Sequence, residues 1–266
     1  MKMITFANSK GGVGKTTLTV GVARTLAELG KKILLFDIDP QGNLTGVFRN
    51  HINIEKESLI KYWFIPDNLQ KNKSENFKNS IEKSNYKNID IIPAYKNLIK
   101  KTLQVLNSET ASDFILKNNL KEINDYLKEK YDYIFFDINP TNTLITENVF
   151  LSVDEIIITI VPHKFSFEGI ETFLDDYKNY LEKWKKIGLN LSNNMNSIVL
   201  NNFRKNKTHD FIKEQILNSE YSTIILNTII PSSINLEKHT MLSNPTLTDK
   251  SPFFLLTKEL LQKDIL

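Results

Sequence analysis

Short apolar runs, each closed by a turn signal, recur along the chain at Met3–Ala7, Ile33–Ile38, Ile89–Ile92, Tyr133–Asp137, Glu155–Val161, Ser197–Asn201 and Thr223–Ile230. Most are continuous rather than alternating, which suits strands buried on both faces of a parallel sheet. Between them, apolar positions fall at helical spacing over Lys15–Leu29, Asp113–Lys130, Thr143–Leu151, Ser166–Lys185, Thr208–Asn218 and Pro252–Gln262. Strand alternating with helix predicts an α/β fold: a mostly parallel twisted sheet, helices on both faces, right-handed crossovers. The rhythm breaks over Gly46–Lys87, which is rich in Lys, Asn and Glu and holds Tyr62, Trp63 and Phe64. We read this stretch as a helical insertion on the periphery, more a solvated excursion than a partner surface. With no repeat or linker to force a cut, residues 1–266 read as a single domain.

The first apolar run leads into Ser9-Lys10-Gly11-Gly12-Val13-Gly14-Lys15-Thr16-Thr17, and a helix pattern follows at once. Glycines let successive backbone N–H groups turn inward around phosphate oxygens, and the helix start adds its positive dipole end. Lys15 is placed to reach the β- and γ-phosphates of a nucleotide, and the Thr16 hydroxyl to ligate magnesium. The general phosphate-loop pattern begins with glycine; here Ser9 stands in that position. Two further runs end in carboxylates, Asp37 and Asp39 after the second and Asp137 after the fourth. Carboxylates at the carboxyl end of a parallel strand face the crevice where ligands bind. Asp137 closes an apolar strand in the manner of a magnesium-holding Walker B segment.

Lys10-Gly11-Gly12-Val13-Gly14-Lys15-Thr16-Thr17 and Asp37-Ile38-Asp39-Pro40-Gln41-Gly42-Asn43 resemble the deviant phosphate loop and second motif of the ParA/MinD family of ATPases. The resemblance runs from Met3 to about Leu261 and is most specific over residues 3–45 and 131–141. It implies a P-loop fold binding ATP and Mg2+ through residues 10–17, with Thr16, Asp37 and Asp137 serving the metal. It makes Lys15 and Asp39 catalytic, Asp39 by orienting the attacking water. Lys10 would cross to the nucleotide of a second subunit in an ATP-bound homodimer, as an arginine finger does elsewhere. Asn201 and Pro231 fall where the family builds its adenine pocket. Asn139 departs from the family pattern, which leaves nucleotide binding expected and puts the hydrolysis rate in question.

Composition narrows the target of such a switch. The 266 residues carry a formal charge of +3, four histidines and no cysteine. Disulfides, thiolate metal sites and the iron–sulfur reductases built on this kind of loop are excluded, and a reducing cytoplasm is the default. The histidines, His51, His163, His209 and His239, lack zinc spacing and read as solvated or capping side chains. No apolar stretch approaches the ~20 residues of a membrane span.

By the resemblance, one reading is a partition ATPase that is cytoplasmic and nucleoid-associated. It segregates plasmid or chromosomal DNA through nucleotide-regulated, non-specific DNA binding and is stimulated by a ParB-type adaptor. Candidate phosphate contacts are Arg204, Lys205, Lys207, Lys213 and Lys238. Against it, the positions of two family arginines hold Ser232 and Asn235. The alternative is a MinD-like ATPase that positions membrane or protein cargo. That group ends in a basic amphipathic helix, whereas Phe253–Leu266 mixes acidic and basic residues and reads as a helix packed on the body, so no membrane is expected. Eight residues precede Ser9, as in the short form of the family, so operator-specific autoregulation is not expected.

Overall fold

The computed structural model describes residues 1–49, 59–66, 69–94, 114–140, 144–162, 166–186, 188, 194–233 and 249–266. In chain order the strands are β1 (Lys2–Ala7), β2 (Ile33–Asp37), β3 (Glu82–Lys83), β4 (Ile89–Ile92), β5 (Tyr133–Asp137), β6 (Glu155–Ile160), β7 (Asn194–Phe203) and β8 (Ile225–Pro231). The helices are α1 (Lys15–Glu28), α2 (Asn43–Phe48), α3 (Lys73–Asn79), α4 (Ile115–Glu122), α5 (Asn124–Lys130), α6 (Leu144–Ser152), α7 (Ser166–Lys186), α8 (Lys207–Leu217) and α9 (Pro252–Gln262). Among the described residues the strands form one sheet ordered β3-β4-β2-β5-β1-β6-β7-β8. Every pairing is parallel except β3 with β4.

The continuous apolar runs follow from burial on both faces. Leu34, Phe36, Ile134, Phe136, Ile156 and Ile158 enter one core with residues of α4, α6, α7 and α8. Their neighbours Ile33, Leu35, Tyr133, Phe135 and Ile157 enter the other with residues of α1, α2 and α9. A side-chain period of two therefore splits each strand between two layers of helices.

Three local expectations change. The helix expected over Asp113–Lys130 breaks at Ile123, whose backbone leaves the helical region, into α4 and α5 (Asp113 lies outside the described residues). The bend keeps Leu116, Leu120, Ile123 and Leu127 all buried. The last strand starts at Ile225, because Ser222–Ile224 form a 3₁₀ turn. The 46–87 stretch is not a solvated excursion where it is described. Its 3₁₀ segment Leu59–Phe64 puts Trp63 into the core, stacked on Phe77 at 4.5 Å and edge-on to Phe36 at 4.9 Å. The indole N–H donates to Ser80 Oγ at 2.8 Å, so the ring's polar edge is satisfied as burial requires. The same stretch supplies β3, a two-residue edge strand of Glu and Lys that hydrophobic patterning could not announce.

Candidate nucleotide-binding site

The parallel sheet brings the carboxyl ends of β1, β2, β5, β6, β7 and β8 to one edge. The loop between β1 and α1 lies there. Gly12 and Gly14 adopt φ of 74° and 91°, left-handed values that side chains resist. Gly14 is doubly constrained, since a Cβ there would lie 2.1 Å from Asn201 Nδ2. That amide donates to the Val13 carbonyl at 2.7 Å, so β7 holds the loop from the side. Lys15 is buried, and its ammonium donates to the carbonyls of Asn8 and Lys10, each at 3.2 Å. Burial lowers its pKa, and the charges of Asp137 and Asp39 pull the other way. The ammonium stays inside the curve of the loop, where phosphate oxygens would meet it.

Asp37 and Asp137 are direct partners in the β2–β5 register, so two buried carboxylates sit side by side. Their environments divide their roles. Asp37 Oδ2 accepts the Thr45 N–H at 2.7 Å and the Thr45 hydroxyl at 2.6 Å, and Oδ1 accepts the Asp39 N–H at 3.3 Å. Thr45 Oγ1 in turn accepts the Ala94 N–H at 3.0 Å. Asp37 thus anchors α2 and the turn that carries Asp39 while standing beside Asp137. Burial pushes its pKa up to about 7 against the opposing Thr45 bonds. Asp137 Oδ2 accepts the Thr16 hydroxyl at 2.7 Å, while its buried Oδ1 has no hydrogen-bond partner. Its pKa is raised well above the carboxylate range, first by burial and then by Asp37.

An orphaned carboxylate oxygen beside a threonine hydroxyl, under repulsion from a second carboxylate, fits a divalent cation. No cluster of three or more His, Cys, Asp or Glu able to hold a metal occurs among the described residues. Magnesium is ordinarily held by one or two protein ligands, with water and substrate phosphates completing the shell. Asp39 is half-buried at the crevice. Its Oδ1 accepts the Gln41 N–H and its carbonyl the Gly42 N–H, both at 2.9 Å, forming the turn before α2.

Two cavities flank the loop. One of about 100 Å³ is lined by Gly12, Gly14, Thr17, Asn201, Pro231 and Phe253, which brings the expected base-pocket residues to the loop. The other, about 210 Å³, is lined by Asn8, Lys10, Gly11, Val13, Val161 and Gly169. Lys10 is exposed on this side and lies across Gly169, where a Cβ would come within 3.3 Å of its Cε and Nζ. Larger clefts exist, such as one of about 450 Å³ bordered by Lys32, Tyr86 and Tyr131, away from these motifs. Chemistry rather than size marks the site.

Of the expected phosphate contacts, Arg204 and Lys205 are exposed in the β7–α8 turn and Lys207 is exposed at the start of α8. Lys213 is half-buried with its ammonium 5.9 Å from the Phe203 ring centre. Asn206 caps α8 by accepting the His209 N–H at 2.8 Å, and Arg204 N–H donates to His209 Nδ1 at 3.1 Å. His209 is therefore a turn-building residue, in keeping with a capping role. Lys238 and Asn235 lie outside the described residues. The C-terminal helix α9 packs against α1 and β8, burying Phe253, Leu256, Thr257 and Leu260. Both oxygens of Glu259 accept backbone N–H groups of β8, from Asn227 and Thr228, at 2.7 Å.

Sequence reasoning missed Asn8 and Thr45. Asn8 Nδ2 donates to the Thr159 carbonyl of β6 and its Oδ1 accepts the Lys10 N–H, both at 2.7 Å. An Asn two residues before a loop N–H is an Asx-turn signal that could have pointed to the first. Thr45 follows its partner by eight residues and carries no comparable local mark.

Comparison with known proteins shows the family and the fold. A family model described as an AAA domain matches residues 1–191. The chain is 32% identical over 178 residues to the sporulation initiation inhibitor protein Soj of Bacillus subtilis, covering 65% of this chain and 64% of that protein. It is 28% identical to the chromosome-partitioning ATPase Soj of Treponema pallidum, covering 89% of this chain and 85% of that one. A plasmid partition protein of Borrelia burgdorferi bound to AMPPNP superposes with a TM-score of 0.66 at 26% identity, covering 99% of this chain and 98% of that one. The chain belongs to the ParA/MinD family of P-loop ATPases.

Proposed function

We propose that this ParA/MinD-family ATPase is a partition switch: a homodimer when ATP-bound that holds DNA without sequence preference and releases it on hydrolysis. The supporting observation is the course of β7. It carries Asn201 against the phosphate loop and, three residues later, delivers Arg204 and Lys205 to the surface. Pro231 of the base pocket is in register with Phe203, and the Ser232 N–H donates to the Phe203 carbonyl at 2.7 Å. The nucleotide pocket and the basic turn therefore share strand ends, which gives ATP a short physical route to a DNA-facing surface.

Lys15 meets the β- and γ-phosphates, and the loop N–H groups from Gly11 to Thr17 cradle them. Thr16 and the free oxygen of Asp137, with Asp37 beside them, would hold Mg2+, which would supply charge neutralisation at the phosphates. Asp39 orients the attacking water, its turn fixed by Asp37 and Thr45. Lys10, exposed beside the loop, serves the partner subunit's nucleotide and adds a cation in trans. The protein is cytoplasmic and nucleoid-associated, turns over slowly alone, and is accelerated by a ParB-type adaptor. A membrane-cycling role is not favoured, because Phe253, Leu256 and Leu260 of α9 are buried in its packing on α1 and β8. Related proteins include the cell division protein PomZ of Myxococcus xanthus, at 29% identity. Protein cargo is therefore the reading to adopt if DNA binding fails.

The test is fluorescence anisotropy of a random-sequence duplex, with MgATP and with MgADP, at several salt concentrations. Three cations from each of two subunits give Z near 6, hence a log–log salt slope of roughly −5 at ~0.9 per neutralised phosphate. Replacing Arg204, Lys205 and Lys207 by alanine should flatten that slope. Binding absent in both states, with ATP binding intact, refutes the DNA reading.

A further inference from the structure

We infer that Asn8 is a positioning residue that sets the backbone of the signature lysine, separating the aim of Lys10 from the affinity of the loop for ATP. In its use of Lys10 the inference rests on the function proposed above. Asn8 is buried, and both ends of its amide are committed. Nδ2 donates to the Thr159 carbonyl at 2.7 Å, fastening the side chain to β6. Oδ1 accepts the Lys10 N–H at 2.7 Å, closing an Asx turn as the chain leaves β1. The Asn8 carbonyl also receives the Lys15 ammonium, as does the Lys10 carbonyl.

One side chain thus joins the sheet to the residue that must leave it in a fixed direction. Lys10 has a long flexible stem, so its reach toward a second subunit depends on where its Cα is held. Glycines follow at 11 and 12, and a Cβ at Gly12 would meet nothing within 4 Å, so side-chain packing at Gly12 does not restrain the loop there. The Asn8 amide supplies that restraint from the amino-terminal side. On the other side the loop is held separately, by Asn201 on the Val13 carbonyl. The two clamps act on different halves of the loop. Loss of the Asn8 clamp leaves Gly14, Lys15 and Thr16 on the start of α1, where the phosphates bind.

Alanine at position 8 removes both bonds. Serine can still accept the Lys10 N–H but is too short for the Thr159 carbonyl. Aspartate keeps the acceptor and sets an oxygen against that carbonyl. The experiment measures, for Asn8→Ala, Asn8→Ser, Asn8→Asp and Lys10→Ala, the Kd for a fluorescent ATP analogue, single-turnover hydrolysis, and ATP-dependent dimerisation by light scattering. Thermal unfolding confirms folding of each. We expect turnover and dimerisation of Asn8→Ala to fall by up to about 10²-fold, the scale of a small misplacement, with Kd changed by less than about threefold. Asn8→Ser should fall between wild type and Asn8→Ala, because half of the clamp survives. Folded Asn8→Ala with wild-type turnover and dimerisation overturns the inference, as does a Kd that weakens in proportion to turnover. Wild-type behaviour of Lys10→Ala would instead sink the trans role of Lys10, leaving the fault with the proposed function.

Discussion

Gly14 and Asn201 lie 187 positions apart in the chain (201 − 14), yet the fold makes them one unit, and a double-mutant cycle can measure that unit. Gly14→Ala faces two costs. Its φ of 91° is left-handed, which costs a non-glycine residue roughly 1–2 kcal/mol. Its Cβ would sit 2.1 Å from Asn201 Nδ2, so the amide must swing away and abandon the Val13 carbonyl. Leaving that buried carbonyl unpaired costs about 1–3 kcal/mol. The single mutant should therefore lose about 2–5 kcal/mol in all. Asn201→Ala loses the same carbonyl bond and again costs about 1–3 kcal/mol. In the double mutant the bond is lost only once and the clash is gone. The two single effects should then exceed the double by about 1–3 kcal/mol. The assay is urea unfolding of nucleotide-free protein followed by far-UV circular dichroism, accepted where the denaturant slope is unchanged. Additivity within ~0.5 kcal/mol would refute the idea that Asn201 holds the loop and that Gly14 is shaped to admit it.

The buried carboxylates predict a pH dependence with a definite sign. Asp37 is pushed up to about 7, so the folded state holds a proton that the unfolded chain releases near 3.8. Stability without nucleotide is full below about pH 4 and declines as pH rises toward and through 7, because the unfolded chain gives up its proton first. Asp137, also raised, acts in the same direction. Saturating MgATP should flatten the decline; unfolding scans from pH 4 to 8 that rise, or that MgATP leaves unchanged, contradict the site as described. Asp137→Asn should be more stable than wild type at pH 8 yet lose magnesium-dependent ATP binding, and equal loss of both would show that the carboxylate is structural. Phe253 packs its ring on Gly21 of α1, where a Cβ would come within 2.3 Å of it. Phe253→Ala should cost about 3–5 kcal/mol and lower Tm by roughly 10 °C. An unchanged Tm combined with altered vesicle binding would revive the membrane reading of α9.

Features set by near neighbours in the chain can be read from the residues alone. Continuous apolar runs demand cover on both faces, so β1, β2, β4, β5 and β6 were legible to within a residue or two. Pro252–Gln262 could be read to its boundaries because Pro opens the helix and its apolar spacing is regular. The loop's backbone was legible because positive φ at Gly12 and Gly14 is a property of those residues. Tertiary structure decided the rest. Nothing local says that β2 lies beside β5, yet that register sets Asp37 against Asp137 and creates a repulsion that a bound cation would relieve. Trp63 lies in a stretch rich in Lys, Asn and Glu that reads as a solvated excursion, but Phe36, Phe77 and Ser80 converge to bury it. Asn8 and Asn201 are polar residues at strand ends, ambiguous by type, whose roles come from the carbonyls the fold places within 2.7 Å of them. Side-chain period and backbone preference act over a few residues. Which hydrogen-bond acceptor meets which donor is settled only when distant strands take their places in the sheet.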